Sequence, residues 1–159
     1  MLNTLSTVEP IATTVLNSLL NPLSCAQILT SLFLAILFLQ SGLDKVFNFS
    51  DNLSWLRGHF AKTPFRSQVK MMLITITMAE VAAGALALLG AAQIALNGVV
   101  IARMGVNSLA LYGAQLAALD IVLLFFGQRI AKDYVGAAAL VPYFIVCIGD
   151  VLLLSLSLS

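Results

Sequence analysis

Glu80, Asp120 and Asp150 each stand alone inside a long apolar stretch of the chain. A comparable charge at the centre of a membrane helix costs about 2.5–3.5 kcal/mol on insertion scales, so each of these acids has to face protein or water rather than lipid. The residues around Glu80 supply such a setting. Ala79, Ala83, Ala87 and Ala91 recur every four residues, with Gly84 on the adjoining face, a small-residue stripe that lets a neighbouring helix approach closely. Gly113, Ala117 and Asp120 likewise share one helical face. Counted at 1.5 Å per residue from the nearest basic loops, Glu80 is about 15 Å deep and Asp120 about 10 Å deep. Two carboxyls at similar depth can share a proton, because desolvation and mutual repulsion both oppose holding two charges there. That chemistry suits proton exchange with a quinone or a water chain. The alternative is a pair of protonated structural acids that hydrogen-bond across helices.

Other side chains extend this set. Tyr143, Cys147 and Asp150 align along one helical face, and Arg103 belongs to the same half of the membrane as Asp150. Either the two form an ion pair, or Arg103 is a long side chain that snorkels to the interface. Tyr112, with Glu80 and Asp120, could supply the few polar groups that a quinone pocket needs. Asp44 and Lys45 mark the end of the first apolar stretch. Lys45 there reads as an anchor at the headgroups, or as a contact for an anionic lipid headgroup or a partner subunit. Arg129, Lys132 and Asp133 read as a solvated turn. The single histidine, His59, lies in a loop, which leaves no pair of histidines to hold a haem between helices. No metal-ligand spacing, phosphate-binding loop or dinucleotide fingerprint occurs. The expectation is therefore no metal, no tightly bound cofactor, and at most a quinone.

The elements that position these residues follow from composition. Of 159 residues, 60% are hydrophobic and 9% charged, whereas a soluble domain carries about a quarter charged residues. Such a chain cannot cover itself with polar surface. Its length suits four spans of about twenty residues, and these run from about Ala26 to Phe47, Met71 to Leu96, Met104 to Gly127 and Val135 to Leu154. The fold class is an all-α membrane protein, a bundle of four transmembrane helices forming one domain over residues 26–159. Pro142 falls within the fourth span, where neighbouring helices can satisfy the carbonyl it frees, with a local kink. Cys25 and Cys147 are far apart and read as packing residues. A net charge of +1, with no basic stretch interleaved with aromatics, gives no footprint for nucleic acid.

Residues 1–25 carry no basic residue before an apolar run, so they do not resemble a signal peptide. Ile11, Val15, Leu16, Leu19 and Leu20 fall on one helical face and Thr13, Thr14, Asn17, Ser18 and Asn21 on the other. This segment is either a short amphipathic helix on the membrane or a flexible tail. Between the first two spans, Asp51 is placed to cap a short interfacial helix that ends before Pro64. Its Leu53, Leu56 and Phe60 would face apolar surroundings, Arg57, Lys62 and Arg66 water, and Trp55 the headgroups. Of the eight Lys and Arg residues, seven lie in the first and third connections and Arg103 alone lies opposite. The positive-inside rule then makes those connections cytoplasmic in a bacterial inner membrane, with both termini periplasmic.

Two stretches resemble the signatures of the DoxX family. FLQSGLDKVFNF at Phe38–Phe49 is similar to its first-helix motif, a small residue and Gly followed by Lys at the membrane boundary. AEVAAGALALLGA at Ala79–Ala91 is similar to its second-helix motif, an acidic residue followed by two spaced glycines. The matching positions are Gly42, Lys45, Glu80, Gly84 and Gly90, and the resemblance covers roughly residues 26 to 154. Where members of the family often carry an Arg entering the first helix, this chain has Cys25-Ala26-Gln27. The resemblance implies a four-helix membrane protein, often a non-catalytic subunit or accessory of an oxidoreductase, including quinone-linked sulfur oxidation. Partners are then the lipid bilayer and a redox protein or membrane complex. The alternatives are a small-solute or proton transporter built on the same carboxyls, or a purely structural assembly subunit.

Overall fold

The computed structural model describes the backbone of residues 2–96 and 108–156, and the side chains of 11–96 and 109–156. Arg103, and with it the expected Arg103–Asp150 pair, lies outside the described residues. Six helices occur among them: α1 Leu2–Leu20, α2 Pro22–Phe47, α3 Phe49–His59, α4 Val69–Ala95, α5 Ser108–Ile130 and α6 Tyr134–Ser155. Four of these, α2, α4, α5 and α6, are long and apolar enough to cross a membrane, since about twenty residues span the roughly 30 Å hydrocarbon core. The chain is an all-α, multi-pass membrane protein. Its outer surface fits that solvent, with Ile36, Met78, Leu88, Phe126, Val135 and Ile145 all exposed.

Small residues decide how the helices meet. A Cβ added at Gly84 would lie 2.8 Å from the Leu39 backbone N, and one at Gly42 would lie 2.7 Å from Val81 Cγ2. Helices α2 and α4 therefore touch almost backbone to backbone, as small residues allow between membrane helices. Helices α4 and α5 do the same. A Cβ at Gly113 would meet the Ala87 backbone N at 2.6 Å, and one at Gly90 would overlap the backbone of Ala110. Ala83, Ala87 and Ala91 of the α4 stripe are buried, while Ala79 is half-buried at its edge. Helix α6 packs mainly on α5 and reaches α2 through Gln27, whose Nε2 donates to the Leu153 carbonyl at 2.8 Å. It continues through Pro142 as one helix.

The helix ends show where sequence reading missed. The first span begins at Pro22 rather than near Ala26, because Asn21 Oδ1 accepts from the backbone N–H groups of Leu23 and Ser24, both at 3.1 Å. An Asn cap with proline at the first helical position is a strong start signal. The segment before it is helical, and α1 packs against α2 and α4. Thr14, Val15 and Ser18 are half-buried while Ile11, Leu16, Leu19 and Leu20 are exposed. Most of the leucine-rich face thus points away from the bundle. Asp51 does not cap the interfacial helix, which starts earlier, at Phe49. It lies in the first turn, where a negative charge complements the helix dipole. The α5–α6 turn closes with Asp133 N donating to Gln128 O at 2.9 Å and Lys132 N to Arg129 O at 3.2 Å. This is a Schellman closure, and it holds Lys132 at φ 62°, a position that usually takes glycine.

Candidate functional site: a buried ion pair at the foot of an apolar cleft

Helix packing fixes where the acids meet. Gly90 lies opposite Ala110 and Ala87 opposite Gly113, so each step along α4 is matched by an equal step back along α5. Seven further residues carry Ala87 to Glu80 and Gly113 to Asp120, which places the two acids at one level of the bundle. Both are buried, Glu80 at 1% and Asp120 at 0% exposure. Asp120 also lies within Coulomb range of Glu80 and Lys45.

Lys45 corrects the sequence reading. It does not simply extend to the headgroups but folds back one turn into the bundle, where its Nζ lies 2.8 Å from Glu80 Oε1. The same ammonium donates to Ser41 Oγ at 2.7 Å and, at a longer 3.3 Å, to the Ser41 carbonyl. Ser41 Oγ in turn donates to Glu80 Oε1 at 2.9 Å. The reason is energetic: an acid this deep needs a cation, and Lys45, with its side chain 18% exposed, is close enough to bring one. Among the described residues, Glu80 Oε2 has no hydrogen-bond partner, and neither oxygen of Asp120 has one. Asp44 stays at the surface as the sequence placed it, accepting from Asn48 Nδ2 at 2.7 Å and Asn52 Nδ2 at 3.3 Å.

The pair forms the floor of a cleft of about 680 Å³. Its walls are largely apolar, with Leu73 and Ile76 from α4 and Leu124 and Phe126 from α5. Trp55, His59 and Phe60 from α3 and the residue that follows it line the same space. His59 Nε2 lies 2.8 Å from Gln128 Oε1, which ties α3 to the end of α5. Trp55 stacks on the His59 ring with centroids 4.7 Å apart. Met71, Thr75 and Leu123 also line the cleft and are exposed, so it opens sideways, at the level where lipid would lie. A second hollow, lined by Asp51, Ser54 and Gly58 with Trp55 and His59, is an open dish on α3.

Tyr112 does not join this site. It is 54% exposed on α5 and lines no part of the cleft, because eight residues separate it from Asp120, about 12 Å of rise and roughly 80° of rotation. Asp150 is buried at 0% exposure in the other half of the bundle. It accepts from Thr30 Oγ1 and, at a long 3.4 Å, from Ser31 Oγ. Cys147 is fully buried one turn away, whereas Tyr143 on the same nominal face is 37% exposed, at a stretch where Val141, Phe144 and Ile145 are exposed too. Ser41, Thr30, Ser31 and Gln27 escaped the sequence reading. Their signal was available, with Gln27 one helical turn before Thr30 and Ser31, and Ser41 one turn before Lys45.

No group of His, Cys, Asp and Glu side chains arranged to hold a metal occurs among the described residues. Fold and site together define a four-span helical membrane protein with a buried lysine–glutamate pair opening on an apolar cleft. Comparisons with protein-family models, curated proteins and solved structures find no match.

Proposed function

We propose that this chain is a DoxX-like, non-catalytic membrane subunit of an oxidoreductase assembly, and that its cleft receives the ring of a membrane-soluble quinone. The observation that carries this reading is the cleft of about 680 Å³ that ends on Lys45, Ser41 and Glu80. An apolar pocket with a few convergent polar groups is the usual form of a small-molecule site. The residues present suit a quinone. The third Lys45 N–H, engaged only at 3.3 Å, can turn to a ring carbonyl, and the unpartnered Glu80 Oε2 can accept from a ring hydroxyl. When bound, the ring supplies two-electron, two-proton redox chemistry. The protein supplies apolar walls that exclude water, the Lys45 charge that orients the ring, and the Glu80 carboxylate that takes or returns a proton at Oε2. Electrons come from a partner protein.

The same proposal puts the chain in a bacterial inner membrane with the Lys45 end of the bundle in the cytoplasm and both termini periplasmic, from the distribution of basic residues. Alkaline phosphatase fused after Ser159 is then active and a fluorescent protein fused there is dark. The reverse pattern removes the orientation. For the function itself, the test is purification in mild detergent, followed by lipid extraction and mass spectrometry of bound proteins. Quinone and a redox protein are expected to accompany the chain. Their absence, with solute flux into liposomes instead, replaces this reading by a transporter.

A further inference from the structure

Apart from Thr77, whose hydroxyl donates to the Leu73 carbonyl of its own helix, the buried polar side chains among the described residues and their polar partners form two layers. The first, at the cleft, holds Ser41, Lys45, Glu80 and Asp120. The second holds Gln27, Thr30, Ser31 and Asp150, with buried Gln93 at the same height. That height follows from Leu39 facing Gly84, since nine residues back along α2 reach Thr30 and nine forward along α4 reach Gln93. Ten residues of α2 separate Ser31 from Ser41, about 15 Å. Between the layers lies Cys147, wholly buried and within Coulomb range of both Asp120 and Asp150.

Asp150 accepts from two hydroxyl donors of α2. Among the described residues, Asp120 has none on either oxygen although it is 0% exposed. Buried polar groups are ordinarily hydrogen-bonded, and an orphan acid inside a membrane span marks a functional position. Its charged and titratable neighbours are Glu80 on α4, Lys45 on α2 and Cys147 on α6, with Asp150 beyond. The surrounding Leu34, Ala35, Ala114 and Ala117 are at most 1% exposed, a packing too close for a solute to pass.

We propose that Asp120 is a proton-exchanging carboxyl in series with Glu80, supplied from the Asp150 layer through water held at the level of Cys147, so that protons reach the cleft from the opposite face of the membrane. A proton leaves the Asp150 carboxylic acid for water, passes to the Asp120 carboxylate, and moves on to the Glu80 carboxylate. Each donor is left as a carboxylate, and the Lys45 ammonium keeps its charge throughout. The inference rests on the cleft reading only for where the path ends.

The test uses the full chain in liposomes with an entrapped pH dye and a potassium diffusion potential set by valinomycin. Proton entry is expected to exceed that of protein-free vesicles. It should fall to their level in Asp120→Asn, persist in Asp120→Glu, and be unchanged in Tyr112→Phe. A hydrophobic carbodiimide, which attacks protonated carboxyls in membranes, should block entry into wild-type vesicles and label Asp120 by peptide mapping. That measurement needs no variant to fold. Wild-type vesicles no leakier than empty ones, Asp120→Asn conducting like wild type, or a block that leaves Asp120 unlabelled would each overturn the path. Binding of a short-chain quinone is read on the same preparations by Trp55 fluorescence. Its loss with proton entry intact counts against the cleft alone, and the reverse against the path alone.

Discussion

Lys45→Met is expected to destabilise the bundle by roughly 3–5 kcal/mol, the range found when one member of a buried ion pair is removed and the other is left uncompensated. The partner left behind is Glu80, 1% exposed, with one oxygen bound by Ser41 and the other by no described residue. The reverse substitution should cost less. In Glu80→Gln the ammonium is freed, and an 18% exposed lysine at the last turn of α2 can straighten toward the headgroups. The double variant Lys45→Met/Glu80→Gln carries no uncompensated charge and should recover most of the loss. Reversible unfolding in mixed detergent micelles would give all four corners of this cycle. A Lys45→Met variant as stable as Lys132→Met, which alters an exposed turn residue, would show that the pair contributes nothing.

Gly127→Leu is expected to weaken quinone binding by about tenfold or more, equivalent to about 1.4 kcal/mol, with little change in stability. Gly127 is buried and lines the cleft. A Cβ there would meet Phe60 Cζ at 3.4 Å, an ordinary contact. The first carbon therefore fits, and the rest of a leucine side chain has to occupy space that a ligand would use. Titration of both proteins with one short-chain quinone, alongside thermal unfolding, separates the effects. Equal affinities would mean that this wall of the cleft meets no ligand.

These predictions draw unequally on sequence and on structure. The four spans were legible because apolar runs long enough to cross a bilayer have few other uses. Apart from the third span's expected start at Met104, which lies outside the described residues, their ends fell within a few residues except where Asn21 and Pro22 start α2 early. The common level of Glu80 and Asp120 was also legible, since helical rise is constant and both could be counted from basic loops. Rotation about the helix axis was not. Tyr112 seemed a partner by distance along the chain, but it points out of the bundle because α5 turns its Gly113–Ala117 face toward α4. Lys45 was misread for a different reason. A lysine at a span end reads as an anchor whether its side chain runs outward or folds inward, and only the position of Glu80 on the neighbouring helix decides between them. The cleft was invisible in sequence, because it depends on α3 lying against the ends of α4 and α5 through the His59–Gln128 contact.

The central claim, that this cleft is a quinone site, is tested most directly by Trp55, the only tryptophan in the chain and a lining residue of the cleft. Intrinsic fluorescence of the purified wild-type protein in detergent is followed while a short-chain quinone is added, with free tryptophan in the same detergent as the reference for collisional quenching. Saturable quenching beyond that reference is expected, shifted to higher quinone concentration in Gly127→Leu. Quenching that only tracks the free-tryptophan control, with no saturation and no shift, would contradict the claim.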